Sequence, residues 1–252
     1  MIKLTIDDKE VEVREGTSVL EAAKKIGIEI PTLCYHEALT PYGACRVCTV
    51  EIIRKGRSGL STACTYPAQE GIEVKTSSEK VKKARKLILE MLLARCPNVK
   101  KIRDLAREVG IEKPRFKLDN EECILCGLCV RVCEEVVGVS AIGFVSRGTK
   151  REVTTPYKIN SDICLGCGAC AALCPTGAIK IEDIEDLRKI PLWHTELKRK
   201  KCRICGEFFA PEVEMDFLKK KNAQILEEFF ETCPDCRRKE LGNKIGGKIC
   251  QE

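Results

Sequence analysis

Cysteine is the residue type in this chain whose number and spacing could do chemistry. There are 18 cysteines against two histidines, His36 and His194. They fall into four groups of four, with Cys96 and Cys250 outside the groups. The N-terminus, Met1-Ile2-Lys3-Leu4-Thr5-Ile6-Asp7-Asp8, lacks the apolar core of a secretory signal. A cytoplasmic location is therefore expected, and thiols in a reducing compartment are held by metal more often than by disulfides. His194 and Trp193 offer no triad or recognisable catalytic partner, and His36, two residues after Cys34, reads either as a hydrogen-bond donor there or as a surface residue. One-electron chemistry on metal–thiolate centres fits that absence, because it needs no general acid or base.

The densest signal is an internal repeat. Cys123-Ile124-Leu125-Cys126-Gly127-Leu128-Cys129 with Cys133 recurs 41 positions later as Cys164-Leu165-Gly166-Cys167-Gly168-Ala169-Cys170 with Cys174. Two such Cys-x-x-Cys-x-x-Cys-x-x-x-Cys runs are the ligand pattern of two-cluster bacterial-type ferredoxins, in which the fourth cysteine of each run serves the other cluster. The expected sites are one [4Fe–4S] on Cys123, Cys126, Cys129 and Cys174, and one on Cys164, Cys167, Cys170 and Cys133. Pro175 follows Cys174 as the pattern requires, whereas Glu134 stands where the first run would carry proline. A pair of zinc knuckles sharing ligands is the alternative. Zinc sites, however, usually pair Cys-x-x-Cys units rather than lengthen them to four.

The N-terminal group, Cys34, Cys45, Cys48 and Cys64, has wider spacing. A [2Fe–2S] cluster needs two thiolates per iron and suits two pairs brought together by a fold, with zinc again the alternative. Pro41-Tyr42-Gly43-Ala44 supplies the turn between Cys34 and Cys45. The last group, Cys202, Cys205, Cys233 and Cys236, consists of two Cys-x-x-Cys knuckles. It suits a tetrahedral zinc site, or a single iron as in rubredoxin. Such a site either folds a small tail or docks a partner subunit. Cys96 reads as a buried thiol and Cys250 as an unligated one in a flexible end.

The surrounding pattern says what must hold these thiols. Lys3–Ile6 and Val11–Val13 alternate around Asp7-Asp8-Lys9-Glu10, a hairpin signal. Ser18-Val19-Leu20-Glu21 is a capping box opening a helix that ends at Gly27. Strand-like runs at 49–53 and 72–74 follow. Residues 78–95 carry apolar side chains at helical spacing, and a second helix is expected over 101–109, stopped by Gly110. Short strands are expected at 141–145 and 178–181, and a helical pattern runs from about Asp216 to Glu231. The fold class is α+β, in four parts: 1–77, 78–118 (a helical connector), 119–183 and 184–252.

Composition limits the function classes. The chain has 252 residues, 44% apolar, 33% charged and 5% aromatic. It contains no run of roughly 20 apolar residues that would span a bilayer. The formal charge of +6 suggests nucleic acid at first sight. Four Cys₄ metal centres at about −2 each bring the loaded protein to about −2, so no anionic polymer is required. A zinc-binding nucleic-acid module remains a rival for the last group and its lysines; it predicts steep salt dependence and leaves twelve cluster cysteines without a task. No Gly-rich dinucleotide fingerprint follows a strand, so NAD or flavin binding by this chain itself is not expected. High Lys and Glu content hints at a thermophilic source.

Several segments resemble a known family. Pro31-Thr32-Leu33-Cys34-Tyr35-His36, Gly43-Ala44-Cys45-Arg46-Val47-Cys48 and Thr62-Ala63-Cys64 are similar to the N-terminal [2Fe–2S] domain of the complex I large iron–sulfur subunit. Iron-only hydrogenases and NAD-dependent formate dehydrogenases share that module. The stretch Cys129–Gly148, together with Asp162-Ile163-Cys164 and Cys174-Pro175-Thr176-Gly177-Ala178, resembles the ferredoxin part of the same proteins. The resemblance covers residues 1–183. It implies a β-grasp [2Fe–2S] domain, a helical connector and a two-[4Fe–4S] ferredoxin-like domain; the Cys₄ tail would be zinc-ribbon or rubredoxin-like.

Two departures stand out. Many relatives carry an additional cluster on one histidine and three cysteines, but residues 65–122 contain no histidine and only Cys96. Relatives also continue into a hydrogen-activating or molybdenum-binding domain, so a wire without its own catalytic end is expected here. The resemblance implies a non-catalytic electron-transfer subunit of a multisubunit NAD(P)-linked oxidoreductase, of hydrogenase or formate dehydrogenase type and by analogy electron-bifurcating. Its partners would be an NAD(P)-reactive flavoprotein subunit and a hydrogenase or formate dehydrogenase catalytic subunit, or ferredoxin. A free polyferredoxin shuttle is the alternative.

Overall fold

The chain opens with alternating side chains that bury one face, and they fold as expected. In the computed structural model, which describes residues 1–222 and 224–249, β1 (Ile2–Ile6) pairs antiparallel with β2 (Lys9–Val13). Asp7 and Asp8 both have positive φ, the requirement of the two-residue turn that suits strand twist. Asp7 also reaches out of the turn: its carboxylate accepts from the Thr76 amide at 2.8 Å and from the Thr76 hydroxyl.

α1 (Val19–Lys25) begins with the expected capping box. Ser18 Oγ accepts from the Glu21 amide, and Glu21 accepts from the Ser18 amide at 2.7 Å. The helix stops at Gly27, φ +73°. After a long loop come β3 (Thr49–Arg54), β4 (Arg57–Thr62) and β5 (Glu73–Lys75). The five strands form one mixed sheet in the order β2-β1-β5-β3-β4, with β1 and β5 parallel and the other pairs antiparallel. Ile6, Val19, Leu20, Val50, Ile72 and Val74 pack beneath it with almost no exposure. Each such side chain contributes about 1.5–3 kcal/mol on burial.

α2 (Glu79–Arg95) and α3 (Lys100–Glu108) form where the sequence places apolar side chains at helical spacing. Ser78 caps α2 and donates to Glu51 at 2.6 Å, and Lys80 donates to the same carboxylate at 3.0 Å, so the helix start is tied to β3. Gly110, φ +72°, ends the second helix where the sequence expects it. A short α4 (Leu128–Arg131) runs into a π-helical turn, Val132–Val137.

Residues 1–136 with 173–178 make one compact unit, and 137–172 with 179–249 another. In the second, β6 (Gly143–Val145) pairs with β7 (Glu152–Thr154). α5 (Ala169–Ala172) is a single turn. The strand expected at 178–181 starts later, as β8 (Glu182–Ile184); Ile179 instead goes into the interior at 7% exposure. β8 leads into β9 (Leu187–Ile190), β10 (Thr195–Lys201) and β11 (Phe208–Pro211), an antiparallel sheet in the order β11-β10-β9-β8.

The single helical pattern expected over 216–231 divides into α6 (Glu212–Lys221), which ends at Asn222, and α7 (Glu227–Phe230). α8 (Pro234–Ile249) then occupies a stretch whose glycines predict a flexible end. Proline in its first turn, followed by Asp235, gives it a sound start despite those glycines. No helix among the described residues is long and apolar enough to cross a membrane. Cys250 lies outside the described residues.

Candidate electron-transfer sites

The first four thiols meet at the end of the β3–β4 hairpin. Pairing of Thr49 with Thr62 puts Cys48 and Cys64 side by side, their sulfurs 3.4 Å apart. Cys34 and Cys45 arrive from the loop after α1, and the Cys45 amide donates to Cys34 Sγ at 3.4 Å. Gly43 and Arg46, both at positive φ, shape the return of that loop. A Cβ on Gly43 would stand 3.0 Å from Thr65 Cγ2, so the turn is also tight against its neighbour.

All four cysteines are buried, at 1–5% exposure. The Cys45 and Cys64 thiols, together with the amides of Cys45 and Ala44, hold the Cys34 thiol down at about 2. In return, hydrogen bonding to Cys34 pushes the Cys45 and Cys64 thiols strongly up. The Cys64 thiol holds Cys48 at about 7. Such a nest favours ionising Cys34 and, in part, Cys48, but not Cys45 or Cys64; a cationic centre is needed before all four can ionise, and the donor set and amides fit an iron–sulfur group. Arg85 of α2 adds a buried guanidinium, donating to the carbonyls of Thr49 at 2.8 Å and Thr76 at 3.3 Å, with Cys48 within electrostatic reach.

The second group lies in the same compact unit. Cys123 is fixed by Arg95 Nε donating to its carbonyl at 2.8 Å, and the Leu125 amide donates to its sulfur at 3.4 Å. Leu125 and Gly127 sit at positive φ, the geometry that turns successive amides toward a sulfur-rich centre. The Leu128 amide faces Cys126, and burial pushes that thiol up to about 11. The structure brings Cys123, Cys126 and Cys174 within electrostatic reach of one another, and Cys34 within reach of Cys126. Cys129, 8% exposed, occupies the first turn of α4, and Cys133 lies in the π-helical turn.

Arg131, which no ligand-spacing rule singles out, links these two groups. Its guanidinium is buried between the ligand loops, donating from Nη2 to the Cys34 carbonyl at 2.7 Å and from Nη1 to the Thr40 carbonyl. The Thr40 amide in turn donates to Glu135 at 2.7 Å. The one signal of it in the sequence is its position between Cys129 and Cys133, where a cation serves thiolates on both sides.

In the second unit Cys164 and Cys167 lie on the loop leading into α5, whose second residue is Cys170, with Gly166 and Gly168 at φ +64° and +80°. Burial pushes the Cys170 thiol up to about 11, opposed by the Trp193 indole N–H. In the last group all four thiols converge. The sulfurs of Cys202, Cys205, Cys233 and Cys236 all lie within 4.8 Å of one another. The Cys205–Cys233 separation is 3.8 Å, matching the roughly 3.8 Å that 2.3 Å Zn–S bonds give in a tetrahedron. Burial pushes the Cys202 thiol up, but the amides of Cys205, Cys233 and Ile204 outweigh it and hold it at about 6.

Cys96 is fully buried, its thiol pushed up to about 12 by that burial. His36 accepts from the Ala38 amide at 3.2 Å through Nδ1, a turn-stabilising role. The described cysteines, Cys34 to Cys236, are not in disulfides.

A five-stranded ferredoxin-type sheet with four converging thiols, followed by a doubled four-cysteine run, defines an iron–sulfur protein of mixed α+β class. Comparison with known proteins makes this specific. Residues 1–79 match the 2Fe-2S iron-sulfur cluster binding domain and residues 122–178 the 4Fe-4S dicluster domain. The chain is 37% identical over 204 residues to NADPH-Fe(3+) oxidoreductase subunit alpha of Geobacter sulfurreducens, covering 71% of this chain and 24% of that one. It is 34% identical over 204 residues to the NADH-ubiquinone oxidoreductase 75 kDa subunit of Reclinomonas americana, covering 71% of this chain and 29% of that one. The chain thus spans about a quarter of the length of these curated relatives.

Among solved structures, a chain of an NAD⁺-reducing [NiFe]-hydrogenase in the H₂-reduced state superposes with a TM-score of 0.60 at 30% identity, over 70% of this chain and 86% of that one. The protein belongs to the family of iron–sulfur electron-transfer subunits that includes the complex I 75 kDa type and the NAD-reducing hydrogenase.

Proposed function

We propose that this chain relays single electrons between an NAD(P)-reactive flavoprotein subunit and a second redox site, in a cytoplasmic complex of hydrogenase or formate dehydrogenase type. The far end is a hydrogenase or formate dehydrogenase catalytic subunit, or a ferredoxin, and an electron-bifurcating assembly is one form of such a complex. The chain itself carries out no substrate chemistry.

The observation that carries this reading is the closeness of two thiol groups in one compact unit. Cys126 feels the charge of Cys34, and Arg131 spans from the helix after Cys129 to the Cys34 carbonyl. Iron–sulfur centres there would supply reversible one-electron oxidation and reduction. The protein's part is to hold the thiolates, point amides at them, exclude water and keep the donor-to-acceptor path short.

The ligand sets are Cys34, Cys45, Cys48 and Cys64 for the [2Fe–2S]; Cys123, Cys126, Cys129 and Cys174 for one [4Fe–4S]; and Cys164, Cys167, Cys170 with Cys133 for the other. A zinc ion, or a single iron, sits on Cys202, Cys205, Cys233 and Cys236. The hairpin, helix and parallel β1–β5 pair support a β-grasp reading for residues 1–77. Residues 78–118 connect to the ferredoxin domain at 119–183. The β10–β11 knuckle supports a zinc-ribbon reading for 184–252.

Anaerobic purification from the native cell tests the whole assignment. The expected outcome is about ten irons and one zinc per chain, with a flavoprotein and a dehydrogenase or hydrogenase subunit copurifying. A lone, cluster-loaded chain would make it a mobile polyferredoxin. A preparation saturated at four zinc ions without sulfide would overturn the redox reading.

A further inference from the structure

Trp193 is 1% exposed, and its indole N–H is a buried donor without a hydrogen-bond partner among the described residues. Burying such a donor unmet is unfavourable, and native structures seldom leave one so without a reason. The ring is held firmly. Pro191-Leu192-Trp193 forms a 3₁₀ turn closing the β9–β10 hairpin, and the Thr195 hydroxyl donates to the Trp193 carbonyl at 3.1 Å. The N–H bears on the Cys170 sulfur without reaching hydrogen-bonding geometry to it.

The same hairpin covers the rest of that cysteine loop. Arg188 Nη1 donates to the Gly166 carbonyl at 3.0 Å, and a Cβ on Gly166 would meet Leu197 Cδ1 at 2.6 Å and Pro211 Cγ at 3.1 Å. A Cβ on Gly168 would stand 3.1 Å from Ile181 Cδ1. Strands β9 to β11 lie beyond the matched dicluster region, which ends at residue 178. Within the second unit they pack over the Gly166–Gly168 stretch of the ligand segment.

We propose that Trp193 is a positioning residue whose indole N–H donates to the Cys170 sulfur once the [4Fe–4S] centre is in place, raising the reduction potential of that centre. The inference rests on the cluster assignment above. Reduction brings one electron and no proton into the centre, and the indole keeps its hydrogen. A fixed N–H beside the sulfur favours the more negative, reduced state over the oxidised one. The cover thereby makes this centre a better electron acceptor than it would be without the indole.

The test is a potentiometric EPR titration of the anaerobic full-length protein and its Trp193→Phe variant. In the variant, one of the two [4Fe–4S] signals should titrate at a lower potential while the other stays. The expected size is about tenfold in the reduction constant, ~59 mV for a one-electron couple. Iron and sulfide content should be unchanged. Equal potentials at equal cluster content would overturn the inference.

Trp193 is the one tryptophan of the chain, so ¹⁵N-indole labelling of the unmutated protein reports on it alone. A ¹⁵N coupling in the reduced-cluster signal is expected, and its absence would overturn the inference even if the variant failed to fold. Wild-type protein lacking two [4Fe–4S] signals would instead remove the cluster assignment itself.

Discussion

Glu90 is 4% exposed and accepts three hydrogen bonds from Arg115: from the amide at 2.7 Å, from Nε at 2.8 Å and from Nη2 at 2.7 Å. Those bonds hold its carboxyl at about 2, well below the usual carboxylate range. A depressed folded value means stability that is present above the unfolded value and lost as pH falls through the folded one. The wild type should therefore melt higher than Glu90→Gln from neutral pH down to about 4.3, the unfolded glutamate value. The gap should then close as pH falls toward 2, and parallel melting curves of both proteins read it. Arg131 is the second residue whose loss is expected to matter. Arg131→Met leaves the Cys34 and Thr40 carbonyls unmet, at a cost of about 1–3 kcal/mol for each acceptor that water does not reach. Urea unfolding should shift accordingly, and hydrogen exchange should rise in the loop between Cys34 and Thr40. Unchanged exchange there would show that the loop does not depend on this clamp.

Between residue and domain, the two turn aspartates separate conformation from contact. Both lie at positive φ, but only Asp7 carries hydrogen bonds, to Thr76. Asp8→Gly should leave the melting temperature the same or higher. Asp7→Gly should lower stability by about 1–3 kcal/mol through the lost bonds to Thr76, just past β5. Gly166→Ala should be worse for the second unit, since the new methyl would overlap Leu197 at a strained φ; iron content should fall by the share of one cluster. The first hairpin, the capping box and the two connector helices were legible because period and punctuation agree there. β4 was not, because Arg57-Ser58-Gly59-Leu60 lies exposed at the sheet edge and has no alternating apolar face. β9 and β10 are crowded with lysine and arginine whose charges are met by Asp183 and Glu196. That pairing is invisible in a linear pattern. The cysteine groups were legible because ligand spacing is local. The partners that bear on them, Arg85, Arg131, Arg188 and Trp193, come from distant segments or carry no spacing rule.

At the scale of the whole molecule, the tail packs with a cysteine-bearing segment rather than hanging free of it. Residues 179–249 share a compact unit with the Cys164–Cys170 loop. Removal of residues 184–252 should leave the [2Fe–2S] signal intact and make one of the two [4Fe–4S] centres far more oxygen-labile, as followed by EPR during air exposure. Equal lifetimes for both centres would argue against the cover. Its position in the chain also sets an order of manufacture. The ligand loop leaves the ribosome before the strands that will close over it; at about 5–20 residues per second, β11 follows within roughly ten seconds. A carrier delivering a preformed cluster must reach the loop inside that interval, or the finished hairpin must open again to admit it. For the proposed [4Fe–4S] centre, the order in which these segments are made would thus bear on how it is filled.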